Sequence, residues 1–436
     1  MTTPRPRTGD DGAPDRARAG DRADEIDAWA ASGAMWLTGP SGSPPLGPPA
    51  GMVTELRAVA DVLHRHARAL GTGITIDPLA LLGERAAIAG LSRRGTTSCG
   101  GATRLFPARD GWMALTLARP DDVELVPAWL ETDVVDDVWA TVTRVAAARP
   151  SALLVERARL LGLPAAALPA SPGEPPRAPG PLAPLPVRAI PVAGPAAAAP
   201  PSALADLLVV DLSSLWAGPL CGGLLAEAGA RVVKVESTTR PDGARRGPAA
   251  FFDLLNHAKQ SVGVDLRSRG DLTRLRDLLH RADVVIEASR PRALTQLGID
   301  AEALVAAGGP RVWVSITAHG RSGPAGERVG FGDDAAVAGG LVSWNGTQPC
   351  FCADAIADPT TGVVAAAAAL DALVAGGRWL LDVAMAGVAR RLAGPSLPAR
   401  APVPPVARPR ARPAAGRAPR LGQHTGTVLA ELELAP

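Results

Sequence analysis

Residues 207–237 read LLVVDLSSLWAGPLCGGLLAEAGARVVKVES, and this stretch decides the fold class. Residues 207–211 form a short apolar run bounded by polar residues, which is typical of a buried parallel strand. The pattern then predicts a helix over residues 220–228, a stop at Gly229 and a second strand over residues 231–236. A strand, a helix and another strand in this order indicate the start of an open α/β sheet.

The same alternation continues toward the C-terminus. Further strands are predicted over residues 261–266, 282–287 and 311–316, with helices between them. The fold class is therefore α/β, with an open, doubly wound parallel sheet of Rossmann-like form. In such sheets the ligand lies beyond the carboxyl ends of the strands.

A dinucleotide-binding fold is the obvious competitor, because the second predicted strand ends in Glu236. A phosphate-binding turn of that kind needs G-x-G-x-x-G, so that the backbone can approach the pyrophosphate. The loop here reads WAGPLCGG over residues 216–223, and no G-x-x-x-x-G-K-[ST] sequence occurs in the chain. These observations argue against NAD binding and against a P-loop.

Several motifs in a fixed order point to one family. The A-G-P turn and LAEAGARVVKVE are followed by NHAKQS at 256–261, ADVVIE at 282–287 and SITAHG at 315–320. Arg290-Pro291 leads to Leu297-Gly298, and Gly323-Pro324 follows the last motif. Together they resemble the family III CoA-transferases (CaiB/BaiF type), which include formyl-CoA and carnitine CoA-transferases and α-methylacyl-CoA racemases. The resemblance implies a large Rossmann-like domain with a smaller α+β domain.

The resemblance also implies a chemistry. A CoA-transferase moves CoA between an acyl-CoA and a carboxylic acid, and a carboxylate nucleophile does this through a mixed anhydride. Within ADPTTGVVAAA, residues 357–367, Asp358 occupies the place of the family's nucleophile. Taken from the residues alone, Asp358 followed by Pro359 is a helix N-cap. Both roles are compatible, since a helix N-terminus stabilises a carboxylate.

Residues that contact CoA are implied by the same resemblance. Three positions depart from the family pattern: Trp216 is unusual in its turn, residues 288–290 replace an Asn-aromatic segment, and Gln296 stands where many members have arginine. CoA or acyl-CoA is expected as substrate, with no permanently bound cofactor and no metal. The expected contacts are Trp216, Ala217, Leu266, Arg267, Ala288, Ser289, Arg290, Gln296, Thr317, Ala318 and His319.

Two alternatives remain open at this point. A racemase of the same fold moves a proton α to the thioester and needs a base on each face. Phe331 holds the place of the histidine that the racemases use, and His319 lies in the preceding loop, so this activity ranks second. A catalytically inactive CoA-binding subunit is the other alternative, and the departures at Trp216, at Gln296 and in the segment 288–290 favour it.

The N-terminal half resembles a degenerate copy of the second, with Gly47 where the second half has Asp358. It also holds a predicted strand pair, residues 103–106 and 112–117, around the turn 109–111. We predict an interlocked two-chain ring that is partly fused here, and the sequence leaves open whether it acts as a monomer or a homodimer. The predicted parts are a disordered leader (1–24), a degenerate half with the small-domain segment (25–163), a Pro/Ala-rich linker (164–203), a CoA-binding catalytic domain (204–394), a Pro/Arg-rich solvated tether (395–420) and a C-terminal helix (421–436).

Composition limits the classes of partner that the chain is expected to bind. The net charge is +2 and aromatic residues make up 3%, with no tyrosine, which argues against nucleic acid and an anionic membrane surface. The four cysteines lack the spacing of a zinc site, and buried thiols are the simpler interpretation of Cys350 and Cys352. The N-terminus has no apolar signal-peptide core and no long uninterrupted apolar run follows, so a cytoplasmic location is expected.

Overall fold

The structure is a computed structural model that describes residues 13–132, 137–170, 185–194, 199–397 and 405–434. In the N-terminal half its elements are α1 (Ala13–Ser32), α2 (Met52–Ala69), α3 (Glu84–Ala89), β1 (Thr103–Ala108), β2 (Gly111–Thr116), α4 (Pro120–Glu124), α5 (Val126–Leu130), α6 (Val138–Ala146), α7 (Ser151–Leu161), β3 (Ala165–Ala167) and β4 (Arg188–Pro191).

The remaining elements alternate between strand and helix over most of their length. They are β5 (Leu208–Asp211), α8 (Ala217–Glu227), β6 (Arg231–Ser237), α9 (Ala249–Asn256), β7 (Gln260–Val264), α10 (Arg269–Arg281), β8 (Val284–Glu287), α11 (Pro291–Gln296), α12 (Ala301–Ala306), β9 (Val312–Thr317), α13 (Gly332–Gly339), β10 (Ser343–Asn345), β11 (Gln348–Cys350), α14 (Ala357–Ala375), β12 (Trp379–Ala384), α15 (Met385–Leu392) and α16 (Thr425–Glu431).

A seven-stranded sheet organises the molecule, in the order β4-β12-β9-β8-β5-β6-β7. Every neighbouring pair is parallel except β4, which runs antiparallel at one edge. The predicted α/β class with a parallel sheet is therefore confirmed, and all five predicted strands are present. Strands β5 and β8 are buried along their whole length, which explains their unbroken apolar runs. Parallel order brings the carboxyl ends of the strands, and the loops that follow them, to one edge.

A smaller unit lies beside the large sheet. It consists of the antiparallel sheet β1-β2-β3 and helices α4 to α7. Its separate core is built around Phe106, Met113, Trp129 and Leu154, and the rings of Phe106 and Trp129 meet edge to face at 6.5 Å. The predicted hairpin is confirmed, with β1 paired to β2 from Thr103–Thr116 to Ala108–Gly111.

The main core runs through both halves of the chain. Trp29 and Leu56 from the N-terminal half belong to the same buried cluster as Leu220 and Leu370. Helix α14 is apolar on all sides, so it needs cover on each face, and α2 and α8 both pack against it. The N-terminal half is thus a covering layer of the C-terminal half rather than a body with its own core, apart from the smaller unit.

Three of the predicted connecting segments differ from the structure. Helix α1 begins at Ala13, so the disordered leader is wrong for residues 13–24; residues 1–12 lie outside the described residues. The linker predicted over residues 164–203 contains β3 and β4, each of which joins a sheet. The high proline content suggested an extended linker, but short stretches between the prolines pair with the edges of the two sheets.

The predicted solvated tether is also wrong over its described residues, 405–420. Ala407 donates its N–H to Ala30 O at 2.9 Å, and the backbone and ring of Pro409 fit against Gly33 and Gly83. Arg412 pairs with Glu84 at 2.7 Å and with Glu227 at 3.0 Å. We call residues 405–420 the C-terminal strap, because it ties α3 of the first half to α8 of the second.

One helix among the described residues, Ala357–Ala375, is long and apolar enough to cross a membrane, and 83% of its most apolar window is buried inside the protein. This helix is α14, which lies at the centre of the main core. All four cysteines are free and buried, in agreement with their interpretation as buried thiols.

Candidate active site

A cleft of about 700 Å³ opens at the carboxyl edge of the large sheet, where the smaller unit faces it. The loops after β5, β8 and β9 form one wall, and the segment before α13 forms another. Asp358 and Met385 lie inside the cleft, and Arg119 reaches it from the smaller unit. This is the place where open parallel sheets bind their ligands.

Asp358 is the second residue of α14, and Ile356 rather than Asp358 is its N-cap. The predicted capping role is therefore wrong, although the carboxylate does lie in the first turn, at the positive end of the helix dipole. Ala353 and Ala355 precede it with φ of 54° and 43°, a strained left-handed backbone that turns the chain sharply into the helix. The side chain of Asp358 is directed into the cleft.

Two glycines make room for this carboxylate. A Cβ atom on Gly332 would lie 2.3 Å from Asp358 Oδ2 and 2.5 Å from Ala355 O, so no other residue fits there. A Cβ atom on Gly330 would lie 2.8 Å from Asp334 Oδ2. The Gly330-Phe331-Gly332 segment thus packs its backbone directly against the acidic groups.

Three further aspartates surround Asp358, and all three are buried: Asp333, Asp334 and Asp354. Each accepts a hydrogen bond from the N-terminal half of the chain. Thr103 Oγ1 donates to Asp333 at 3.2 Å and Thr116 Oγ1 donates to Asp334 at 2.9 Å. The remaining acid, Asp354, accepts two hydrogen bonds from Arg85, at 2.6 and 2.9 Å.

Burial raises the pKa of carboxyl groups in this cluster. It raises the pKa of Asp358 from 3.8 to about 7; the charge of Arg85 opposes this rise, and the three neighbouring carboxylates add to it. Burial likewise raises the pKa of Asp334 to about 7 and that of Asp333 to about 6. Near neutral pH, Asp358 is therefore poised between its protonated and its ionised form.

A buried ionic network fixes the loop after β5. Lys259 Nζ donates to Asp211 at 2.8 Å, and Lys234 Nζ donates to Ser213 O at 2.8 Å. Lys234 also pairs with Asp242 at 3.0 Å, and Asp242 accepts the backbone N–H of Leu215 at 2.9 Å. The K-V-E and N-x-x-K motifs therefore hold this loop in place rather than contact a ligand.

The structure brings seven of the predicted site residues to the cleft. They are Ala217, Ala288, Ser289, Arg290, Thr317, Ala318 and Asp358.

The other five predicted contacts do not line the cleft. Trp216 is buried beneath Arg85, whose guanidinium carbon lies 5.0 Å from the indole centroid. Leu266 and Arg267 follow the edge strand β7, where Arg267 is exposed and paired with Asp265. Gln296 ends α11. These positions follow the family pattern in order along the chain, but the pattern does not encode which way each side chain points.

His319 lies behind Gly330 and is half-buried, with its Nε2 3.5 Å from the Cβ position of that glycine. Burial lowers its pKa to about 3, and the nearby charge of Arg328 adds to this effect. A histidine with so low a pKa is a poor proton acceptor near neutral pH. This weakens the racemase alternative. Phe331, which stands where the racemases have a histidine, lines the cleft wall and cannot accept a proton.

Sequence reasoning missed four arginines that line the cleft: Arg119, Arg240, Arg246 and Arg328. Among the described residues, neither Arg240 nor Arg246 nor Arg290 has a carboxylate within ion-pair distance. Arg240 lies in the loop that follows β6, so its place after a strand was a usable signal. Arg119 comes from the smaller unit, and nothing in the linear sequence indicates that it reaches this cleft.

Within the described part of the chain, no group of His, Cys, Asp and Glu side chains has the arrangement of a metal site. The acids around Asp358 already have protein donors, as described above. The cleft therefore offers the carboxylate of Asp358, several cations and glycine-lined walls.

Comparison with known proteins finds similarity in the second half of the chain. Residues 204–411 match the family model of CoA-transferase family III. Succinyl-CoA–D-citramalate CoA-transferase of Chloroflexus aurantiacus is 32% identical over 180 residues, which cover 39% of this chain and 45% of that enzyme. Succinate–glutarate CoA-transferase of Agrobacterium fabrum is 32% identical over 187 residues, covering 39% and 47%.

A CaiB/BaiF family protein of Brucella suis, known from its crystal structure, is 32% identical, with 44% of this chain and 55% of that chain covered at a TM-score of 0.40. The chain thus spans about half the length of the relatives that it matches. The match to CoA-transferase family III thus covers residues 204–411, a little under half of the chain.

Proposed function

We propose that this chain is an enzyme that transfers CoA between an acyl-CoA and a carboxylic acid, with Asp358 as its nucleophile. One observation carries the proposal: a carboxylate in the first turn of a long helix opens into a cleft lined by Arg240, Arg246 and Arg290, none of which has a carboxylate within ion-pair distance among the described residues. The similarity of residues 204–411 to enzymes named as CoA-transferases supports the same activity.

The arginines suit the polyanionic end of CoA. Arg240, Arg246 and Arg290 carry positive charge on the cleft wall, and a guanidinium binds phosphate oxygens through two parallel hydrogen bonds. Burial lowers the pKa of Arg290, and the charges of Arg292, Arg119 and Arg240 lower it further. A bound phosphate would relieve this crowding of like charges. The narrow, uncharged strip at Ala217 and Ala288 suits the pantetheine arm.

The reaction begins when an Asp358 oxygen attacks the thioester carbonyl. The new C–O bond forms, the C–S bond breaks, and the pair of electrons leaves with sulfur as CoA thiolate, so the acyl group is held as a mixed anhydride. The CoA thiolate attacks the Asp358 carbonyl of the anhydride, which releases the donor acid as a carboxylate and leaves an aspartyl-CoA thioester. The acceptor carboxylate then attacks this thioester, breaking its C–S bond and forming a second mixed anhydride. The thiolate finally attacks the acceptor's acyl carbon, so that CoA leaves as the thioester of the acceptor acid and Asp358 is regenerated as a carboxylate. Backbone N–H groups in the first turn of α8, at Ala217 and Gly218, lack acceptors within the helix and suit the developing oxyanion.

Trapping the intermediate tests the proposal. The protein is mixed with a panel of acyl-CoAs, quenched with hydroxylamine and mapped by peptide mass spectrometry. We expect a modification at Asp358 that is absent from Asp358→Ala.

The other outcomes of the trapping experiment identify the alternatives. Binding of CoA without any adduct would favour the inactive CoA-binding subunit. Exchange of the acyl α-proton in heavy water without an adduct would favour the racemase. The cytoplasmic location and the homodimer remain predictions.

A further inference from the structure

The N-terminal half contacts every acid that surrounds Asp358. Thr103, Thr116 and Arg85 hold Asp333, Asp334 and Asp354 respectively. Of these donors Arg85 is the one that carries charge. A half that lacks a nucleophile of its own thus contributes the cation of this acidic cluster.

Arg85 is held firmly in place. Its Nε and Nη2 atoms donate to the two carboxylate oxygens of Asp354, whose side chain is fully buried. Its guanidinium group lies over the indole of Trp216, and Trp216 meets the ring of Phe251 edge to face at 5.1 Å. A bidentate pair stacked on an aromatic ring fixes both the position and the plane of a guanidinium group.

Charged groups face Asp358 from each element packed around it. Helix α13 supplies Asp333 and Asp334, the loop before α14 supplies Asp354, and α3 supplies Arg85. The first turn of α8 presents uncharged residues, and the loop after β9 presents His319 behind Gly330. Three carboxyl groups thus oppose the ionisation of Asp358, and the Arg85 guanidinium favours it.

We propose that Arg85 is a positioning residue that keeps Asp358 in its ionised, nucleophilic form, so that the N-terminal half completes the active site within one chain. The inference rests on the proposed function, because it requires Asp358 to act as the nucleophile. The charge of Arg85, held on the neighbouring Asp354, favours the ionised form of the Asp358 carboxyl group, whereas the like charges of the acids disfavour it. Without Arg85, the buried carboxyl groups would retain protons to a higher pH, and Asp358 would not attack the thioester.

The test measures the rate of acyl-adduct formation at Asp358 against pH, in single turnovers of the full chain. In the wild-type protein we expect the rate to rise with the ionisation of Asp358, whose pKa is about 7. Arg85→Gln should move the midpoint of this rise upward by about one pH unit or more, which lowers the rate near pH 6.5 by roughly tenfold. Arg85→Lys keeps the positive charge, so the midpoint of this variant should stay close to that of the wild-type protein.

Two further variants separate charge from structure. Asp354→Asn removes one of the opposing acids, so its midpoint should move downward, the opposite direction to Arg85→Gln. Arg93→Gln is the matched control, because Arg93 also lies in the first half, near the ring of Trp36, and donates to backbone oxygens of Trp36, Pro40 and Ser43. Its midpoint should equal that of the wild-type protein.

The possible outcomes distinguish a failure of the inference about Arg85 from a failure of the proposed function. If Arg85→Gln slows the reaction equally at every pH, with an unchanged midpoint, the inference fails and the adduct in the wild-type chain still supports the proposed function. If the wild-type chain forms no adduct at any pH, both fail. Should Arg85→Gln not fold, a near wild-type midpoint for Arg85→Lys together with a downward shift for Asp354→Asn supports the inference, and an unchanged midpoint for Asp354→Asn contradicts it.

Discussion

The two halves of this chain serve the same cleft in different ways. The second half supplies six strands of the large sheet, the loops at their carboxyl ends and the carboxylate of Asp358. The first half supplies the α2 layer, the smaller unit and hydrogen bonds to the acids around Asp358. Buried carboxyl groups are stable only where donors meet them. The first half therefore contributes to the proposed active site, although the proposed nucleophile lies in the second.

The largest expected effect concerns the cost of keeping the nucleophile buried. Because burial raises the pKa of Asp358 from 3.8 to about 7, the native state retains a proton there that the unfolded chain has already released between these values. The free energy of unfolding of the wild-type protein therefore falls as pH rises through this window. Asp358→Asn removes that loss and should be more stable by about 2–4 kcal/mol at pH 8, with little difference near pH 4.

Chemical denaturation at the two pH values measures this difference. Asp206→Asn is the control, because Asp206 is exposed, and its effect should stay within about 0.5 kcal/mol. An Asp358→Asn protein that is no more stable than the wild type at pH 8 would contradict the account.

A second prediction concerns the glycine that touches the nucleophile. Gly332→Ala places a methyl group where Asp358 Oδ2 now lies, since the distance would be 2.3 Å. Displacing a catalytic group by about 1 Å costs on the order of a hundredfold in rate. We expect kcat to fall by that factor with the KM for acyl-CoA little changed. Gly73→Ala, at an exposed loop position where a Cβ atom meets nothing within 4 Å, is the control, and equal kcat values for the two variants would refute the close contact.

A third prediction tests the C-terminal strap that joins the halves. Arg412→Ala leaves the carboxylate of Glu84 buried without its guanidinium partner, because only 1% of that side chain is exposed. The loss should be roughly 2 kcal/mol in the free energy of unfolding, measured by denaturation at neutral pH. The exposed Arg410 offers the comparison, and Arg410→Ala should have almost no effect. Equal stabilities of the two variants would show that the strap is a tether after all.

The smallest expected effect compares an arginine that lines the cleft with an arginine that the family resemblance suggested as a CoA contact. Arg246 lines the cleft, whereas Arg267 is exposed and paired with Asp265. Arg246→Ala should raise the KM for acyl-CoA by about tenfold, the value of one charge-assisted contact, and should weaken its dependence on salt. Arg267→Ala should leave the KM unchanged. A larger effect at Arg267 would favour the family pattern over the geometry described here.

Much of the catalytic half could be predicted from the sequence. Apolar runs such as residues 207–211 mark buried strands, and the order of strands and helices allows few topologies. Asp358 could be found because the motif around it is local: a glycine and a run of small residues follow within one segment.

The contribution of the N-terminal half could not be predicted in the same way. Arg85 and Asp354 are 269 residues apart, and their pairing depends on how α3 packs beside the loop before α14. The Pro/Arg run at 405–420 shows the same limit, since its composition suits a solvated segment while Arg412 has two buried or half-buried partners. Side-chain direction, as at Trp216, is likewise set by packing rather than by order in a motif.

The most direct test of the central claim separates the two halves. Residues 199–436 are produced alone and together with residues 1–170 as a second polypeptide, and each preparation is treated with acyl-CoA and mapped for a hydroxylamine-trapped adduct. The account predicts an adduct at Asp358 in the intact chain and in the two-fragment complex, with none in residues 199–436 alone. An isolated second half that is soluble and acylated at Asp358 as fast as the intact chain would contradict it.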